Sequence, residues 1–95
     1  MCYTYRVDFS WDEAKAQSNL AKHGVSFDEA ATVFADPLAL VVEDVSHVER
    51  LVLVGKSTSG RLLLTVFIEK DHERIRIVSA RRATSHERRR YEEGI

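Results

Sequence analysis

Between residues 74 and 91 the chain carries seven arginines, no lysine and a single carboxylate, Glu87. A guanidinium is planar, always charged and able to grip two oxygens of one phosphate at once. The chemistry such a supply could serve is cleavage of an RNA phosphodiester. There a 2′-hydroxyl attacks the adjacent phosphorus and negative charge builds on the non-bridging oxygens, where preorganised cations stabilise it. Arg76 and Arg81 are the candidates for that role, with Arg82, Arg88 and Arg89 close behind in sequence. For the Arg88–Arg90 run a solvated helix face laced with Glu92 and Glu93 is an equal reading.

The same reaction needs a base for the 2′-hydroxyl and an acid for the leaving oxygen. His23, His47, Glu49, His72, His86 and Tyr91 are the candidates. His23 falls where a helix should end, so the helix dipole favours its protonated form; it could act as acid or phosphate donor, or simply cap the helix. His72 falls in a hairpin tip, His86 in the first turn of a helix and His47 in a polar loop, positions that favour ordinary solvated roles.

Other chemistries are poorly served. No pair of histidines has helical ligand spacing, and the acidic residues do not cluster as a two-metal nuclease would require. Asp44, His47 and Glu49 form only a weak metal candidate. The four glycines are isolated, so no phosphate-cradling loop exists, and Trp11 reads more naturally as an anchor of the first helix than as a base-stacking platform.

The elements that must position these groups can be read from caps and periodicity. Three hydroxyl residues are each followed three positions later by Glu: Ser10–Glu13, Ser26–Glu29 and Thr84–Glu87. This capping-box spacing predicts helices over about 10–23, 26–35 and 84–93. Gly24 can end the first, Asp36-Pro37 the second and Gly94 the third. Between the second and third lie four runs rich in Val, Leu and Ile: Leu38–Glu43, Glu49–Lys56, Arg61–Glu69 and Arg74–Arg82. Their short links predict an antiparallel meander. The expected fold is therefore α+β, two helices, a four-stranded antiparallel meander and a C-terminal helix, with a short strand conceivable over Tyr3–Phe9.

Strand parity puts Leu62, Leu64, Val66 and Ile68 on one face and Leu63, Thr65, Phe67 and Glu69 on the other. In the last run Ile75 and Ile77 share a face, with Arg74, Arg76, Val78 and Ala80 opposite. A mid-strand arginine is costly to bury alone, so Arg76 predicts a face open to water or ligand, unless it pairs with Glu49 or Glu69.

Composition sets the frame. Ninety-five residues, 44% hydrophobic and 31% charged, suit one domain spanning the chain. The net charge of −1 conceals a balance in which residues 1–73 hold seven Lys/Arg against twelve Asp/Glu while the arginine-rich stretch is strongly positive. That asymmetry points to an anionic partner. The lone cysteine, Cys2, can form no internal disulfide; no run of about 18 apolar residues and no apolar signal core occurs, so a cytoplasmic location without membrane contact is expected.

Taken together, several segments resemble the BrnT family of ribonuclease toxins from type II toxin–antitoxin systems. They are Phe9-Ser-Trp-Asp-Glu-Ala-Lys, Asn19-Leu-Ala-Lys-His-Gly-Val-Ser-Phe-Asp-Glu-Ala, Phe34-Ala-Asp-Pro, Glu49-Arg50, Gly55, Arg74-Ile-Arg-Ile-Val-Ser-Ala-Arg-Arg-Ala and Glu87-Arg-Arg-Arg-Tyr. They span residues 8–93 in the family's order. The resemblance implies a RelE-like fold and RNA cleavage that arrests translation without a cofactor. It also implies a ribbon-helix-helix antitoxin whose complex with the toxin represses their operon, with a dimeric toxin conceivable inside that complex. Carried over by position, Lys22, His23, Arg76, Arg81 and Tyr91 are the expected functional residues, supported by Glu49, Arg50, Arg61 and Arg82. The rival reading is a binding module whose arginines dock an acidic partner or nucleic acid without cutting it. A repressor acting alone fits the slightly acidic balance poorly.

Overall fold

The computed structural model describes residues 7–43, 49–71 and 73–94. His47, His72, Asp44 and Cys2, and most of the conceivable strand over Tyr3–Phe9, lie outside the described residues.

Five strands form one sheet in the order β1-β5-β4-β3-β2. β1 is Asp8–Ser10, β2 Leu40–Glu43, β3 Arg50–Lys56, β4 Leu62–Asp71 and β5 Arg74–Arg82. β2 to β5 are the expected antiparallel meander. The four-stranded, wholly antiparallel sheet is corrected in one respect: β1 adds a fifth strand, and it runs parallel to β5, pairing Phe9 with Ile75 and Ser10 with Arg76. β1 overlaps the end of the short strand expected over Tyr3–Phe9, but its parallel pairing with β5 joins segments distant in the chain and is not readable locally.

Three helices complete the fold: α1 (Glu13–His23), α2 (Phe27–Thr32) and α3 (Ser85–Glu93). Of the three predicted capping boxes only Thr84–Glu87 is reciprocal. At α1 the cap is Asp12, whose carboxylate accepts from the N–H groups of Ala14 and Lys15, so the helix starts later than the Ser10–Glu13 spacing suggests. At α2 Ser26 does accept from Glu29 N–H, but the Glu29 side chain is drawn elsewhere. α2 is also shorter than expected, giving way to a 3₁₀ turn at Val33–Ala35 before Asp36. α1 closes on Gly24 at φ +70°, a left-handed position that glycine adopts without strain.

The sheet has two differently used faces. α1, α2 and the 3₁₀ turn cover one, burying Val25, Phe27, Ala30 and Val33 against Leu53, Leu63, Phe67 and Ile77. An edge contact of Trp11 with Phe27 ties the segment before α1 to α2, and one of Phe34 with Phe67 keys the 3₁₀ turn to β4. Asn19, buried on α1, fixes the helix to β5: its amide donates to Val25 and Ala80 carbonyls at 3.0 and 2.8 Å and accepts from Ala80 N–H at 3.2 Å. Gly55 is where β3 passes under the 3₁₀ turn, since a Cβ there would meet Ala39 Cβ at 2.8 Å and Val33 Cγ1 at 2.9 Å. The other face carries a smaller cluster, Val54, Leu62 and Leu64, partly roofed by Ala83 and Tyr91 of the α3 segment.

Candidate nucleic-acid interface

The register decides which cations share a surface. β4 follows its predicted parity, with Leu63, Thr65 and Phe67 in the main core and Leu62, Leu64 and Val66 opposite. β5 does not. Val66 pairs with Ser79 and Phe67 with Ile77, leaving Val78 as an extra residue. Such a bulge resets the alternation. The expectation that Ala80 shares a face with Arg76 is therefore corrected: Ala80 is buried with Ile75 and Ile77, while Arg81 stands opposite Leu64 on the α3 face.

One row across the α3 face reads Arg50, Ile68, Arg76, with Ser10 beyond. Arg50 and Arg76 are two strands apart, roughly 10 Å between backbones, and both are half-buried. Neither forms an ion pair with a described residue. The suggested partner Glu69 pairs in register with Ile75 and so lies on the other side of the sheet. Two guanidiniums without an ion pair among the described residues flank an aliphatic side chain, an arrangement able to receive a phosphate oxygen pair.

Arg81 sits five residues further along β5, roughly 16 Å away at the usual strand rise. It is engaged: its Nη1 and Nη2 donate to Glu87 Oε1 and Oε2 at 2.9 and 2.8 Å. The Arg81 bonds, opposed by burial and aided by the Thr84 N–H, hold the Glu87 carboxyl below its usual range. Glu87 thus both caps α3 and fixes Arg81.

Tyr91 donates its hydroxyl to Asp36 Oδ2 at 2.7 Å. Burial first, then the Asp36 carboxylate, push the phenol up to about 12. A phenol so held is a poor proton acceptor at neutral pH, and its evident work is to pin α3 over the sheet. For Asp36, burial opposes the charged form, but the N–H groups of Lys56 and Leu38 and the Tyr91 hydroxyl outweigh it and hold the carboxyl low.

The remaining cations lie elsewhere. Lys22 and His23 occupy the exposed last turn of α1, on the opposite side of the sheet from Arg76. Arg82, opposite Leu63, is exposed on that same helix-bearing side. Arg61 binds Glu29 through Nε at 2.9 Å and through a close Nη2 contact, and donates to Gly24 O at 3.1 Å. Ser57 and Ser59 add their hydroxyls to Glu29 at 2.7 and 2.6 Å. This clamp fastens the α1–α2 turn to the start of β4. The Arg61 bond, opposed by burial and aided by both serines, lowers the Glu29 carboxyl to about 2. Consecutive helical residues cannot face one way, so the arginine run on α3 fans out. Arg90 points with His86 along one flank, and Arg88 approaches Glu92 at 3.9 Å on another. Arg89 is exposed. Glu49 is exposed, at the foot of β3. Among the described residues no three His, Cys, Asp or Glu side chains group as metal ligands, and no helix is long and apolar enough to cross a membrane.

A groove of about 170 Å³ opens between α3 and this face, floored by Leu40, Val42, Val52, Val54 and Leu64. His86, Glu87 and Arg90 form its α3 wall. Sequence reasoning gave this groove no weight, because its lining comes from three strands and a helix that are distant in the chain. Asn19 is likewise unmarked in the sequence as a tie to β5, and Glu29 reads there only as a capping residue, though a polar residue on the inward side of a predicted helix is a usable signal.

A five-stranded sheet covered by α1 and α2 on one face and partly by α3 on the other is the α+β architecture of a ribonuclease toxin. The family model for the ribonuclease toxin BrnT of type II toxin–antitoxin systems matches residues 11–87, and the chain belongs to that family. A search of curated proteins by sequence returned no match. Among solved structures, the crystal structure of the Brucella abortus ribonuclease toxin BrnT is similar, with a TM-score of 0.68 and 26% sequence identity over 83% of this chain and 99% of that one.

Proposed function

We propose that this protein is a metal-independent endoribonuclease that arrests translation by cutting RNA in the cytoplasm, restrained by a ribbon-helix-helix antitoxin. The observation that carries the reading is the Arg50–Arg76 row: two half-buried guanidiniums on the open face, without a carboxylate partner among the described residues. They would bind the scissile phosphate and stabilise charge on its non-bridging oxygens. Arg81, set apart and bound to Glu87, would meet a neighbouring phosphate only by exchanging that partner. Arg88 and Arg89 on α3 would extend the electrostatic track along the strand. Lys22 and Arg82, at the sheet's other side, would serve RNA that wraps the sheet end, and Arg61 acts as the brace of that region.

For proton transfer the geometry favours imidazole over Tyr91. His23 is exposed at the end of α1 and His86 lines the groove on the arginine face. His23→Gln and His86→Gln variants separate the two.

The test is cleavage of RNA by the purified protein in excess EDTA. Arg50→Ala and Arg76→Ala are each expected to lower kcat by about 10²–10³, the usual consequence of deleting one preorganised donor. Undiminished cutting by both variants rejects the assignment, and cutting abolished by EDTA rejects metal independence.

A further inference from the structure

The groove beside the arginine row is chemically unlike the row itself. Its floor is five aliphatic side chains from β2, β3 and β4, with no aromatic ring and no side-chain donor. Single-stranded RNA is held by stacking on aromatics and by donors to phosphate, so this floor offers RNA little. It suits aliphatic side chains of a protein. Just before the open edge strand β2, Leu38 is 69% exposed, whereas Val41, opposite Leu53, belongs to the other face of the sheet. Above the floor the wall is basic: Glu87 is consumed by Arg81 and Thr84, while Arg90 is exposed without an ion pair among the described residues. Arg50 and Arg76 stand on the same face beyond the groove. An apolar channel rimmed by cations that have no ion pair among the described residues is complementary to a segment that alternates aliphatic residues with carboxylates.

We propose that this groove is the docking site of the neutralising antitoxin: a segment of that protein seats aliphatic side chains on Leu40, Val42, Val54 and Leu64, pairs a carboxylate with Arg90, and continues over Arg50 and Arg76. Inhibition then follows from covering the phosphate site rather than from distorting it. The inference rests on the nuclease reading for its consequence, but the groove contact is measurable without it.

The experiment uses the full-length toxin and the antitoxin encoded with it, measuring Kd by titration and RNA cleavage by the free toxin in parallel. Arg90→Glu, on an exposed helix position, and Val42→Asp, on the groove floor, are each expected to weaken antitoxin binding at least tenfold and to leave cleavage by the free toxin unchanged. Wild-type affinity in Arg90→Glu overturns the proposal. So does loss of cleavage in that variant, with or without loss of antitoxin binding, because the groove would then belong to RNA. If Val42→Asp fails to fold, Arg90→Glu decides alone. Should wild-type protein cut no RNA, the nuclease reading falls while the affinity measurement still judges the groove.

Discussion

Glu29→Gln tests the clamp that holds the α1–α2 turn. In the folded protein the Glu29 carboxyl is lowered from 4.5 to about 2 by Arg61, Ser59 and Ser57, against the opposing effect of burial. At 1.36 kcal/mol per pH unit that depression corresponds to a ceiling of about 3 kcal/mol. The Arg61 side chain is 31% exposed, and screening by water reduces the realised value to about 1–2 kcal/mol. Because the folded-state value lies below the unfolded one, this stabilisation is complete above about pH 4.5 and is lost as pH falls towards about 2. Urea titrations of wild type and Glu29→Gln from pH 3 to 7.5 provide the assay. The difference in unfolding free energy should be flat from pH 5.5 upward and should shrink steadily below pH 4.5. For a domain of this size it also corresponds to a fall in Tm of roughly 4–16 °C near neutrality. A difference that is absent at pH 7, or as large at pH 3 as at pH 7, refutes the reasoning.

Two further outcomes follow from the core. Asn19→Ala should cost about 3–5 kcal/mol in urea unfolding, since it orphans Ala80 N–H, Ala80 C=O and Val25 C=O at once; a loss below about 1 kcal/mol would show that the α1–β5 tie is replaceable. Thr65 is fully buried with no hydrogen-bond partner for its hydroxyl, so Thr65→Val should raise stability by about 1 kcal/mol, and a decrease would contradict an unsatisfied hydroxyl.

Much of the fold was legible where local rules act alone. The Thr84–Glu87 box, the Gly24 and Gly94 stops and the β2–β5 meander all follow from residues close in sequence. The parity of β4 was readable because ten residues of strand repeat the same alternation. What could not be read depends on pairing between distant positions. Nothing near Glu29 announces Arg61, thirty-two residues on, and competition for that carboxylate is why the Ser26 box stays half-made. The arginines read as one group in the sequence, but the sheet divides them. Arg50, Arg76 and Arg81 lie on one side; Lys22, His23, Arg61 and Arg82 lie towards the other. Tyr91 looked reactive in sequence because its partner Asp36 is fifty-five residues away.

The supernumerary Val78 in β5 has a topological consequence. Were Val78 drawn into the ladder and the bulge lost, strict two-residue alternation would turn everything after it over, aiming Ala80 away from the main core and Arg81 into it. That one unpaired residue, more than the chemistry of its neighbours, therefore governs which positive charges look out from the same side of the molecule.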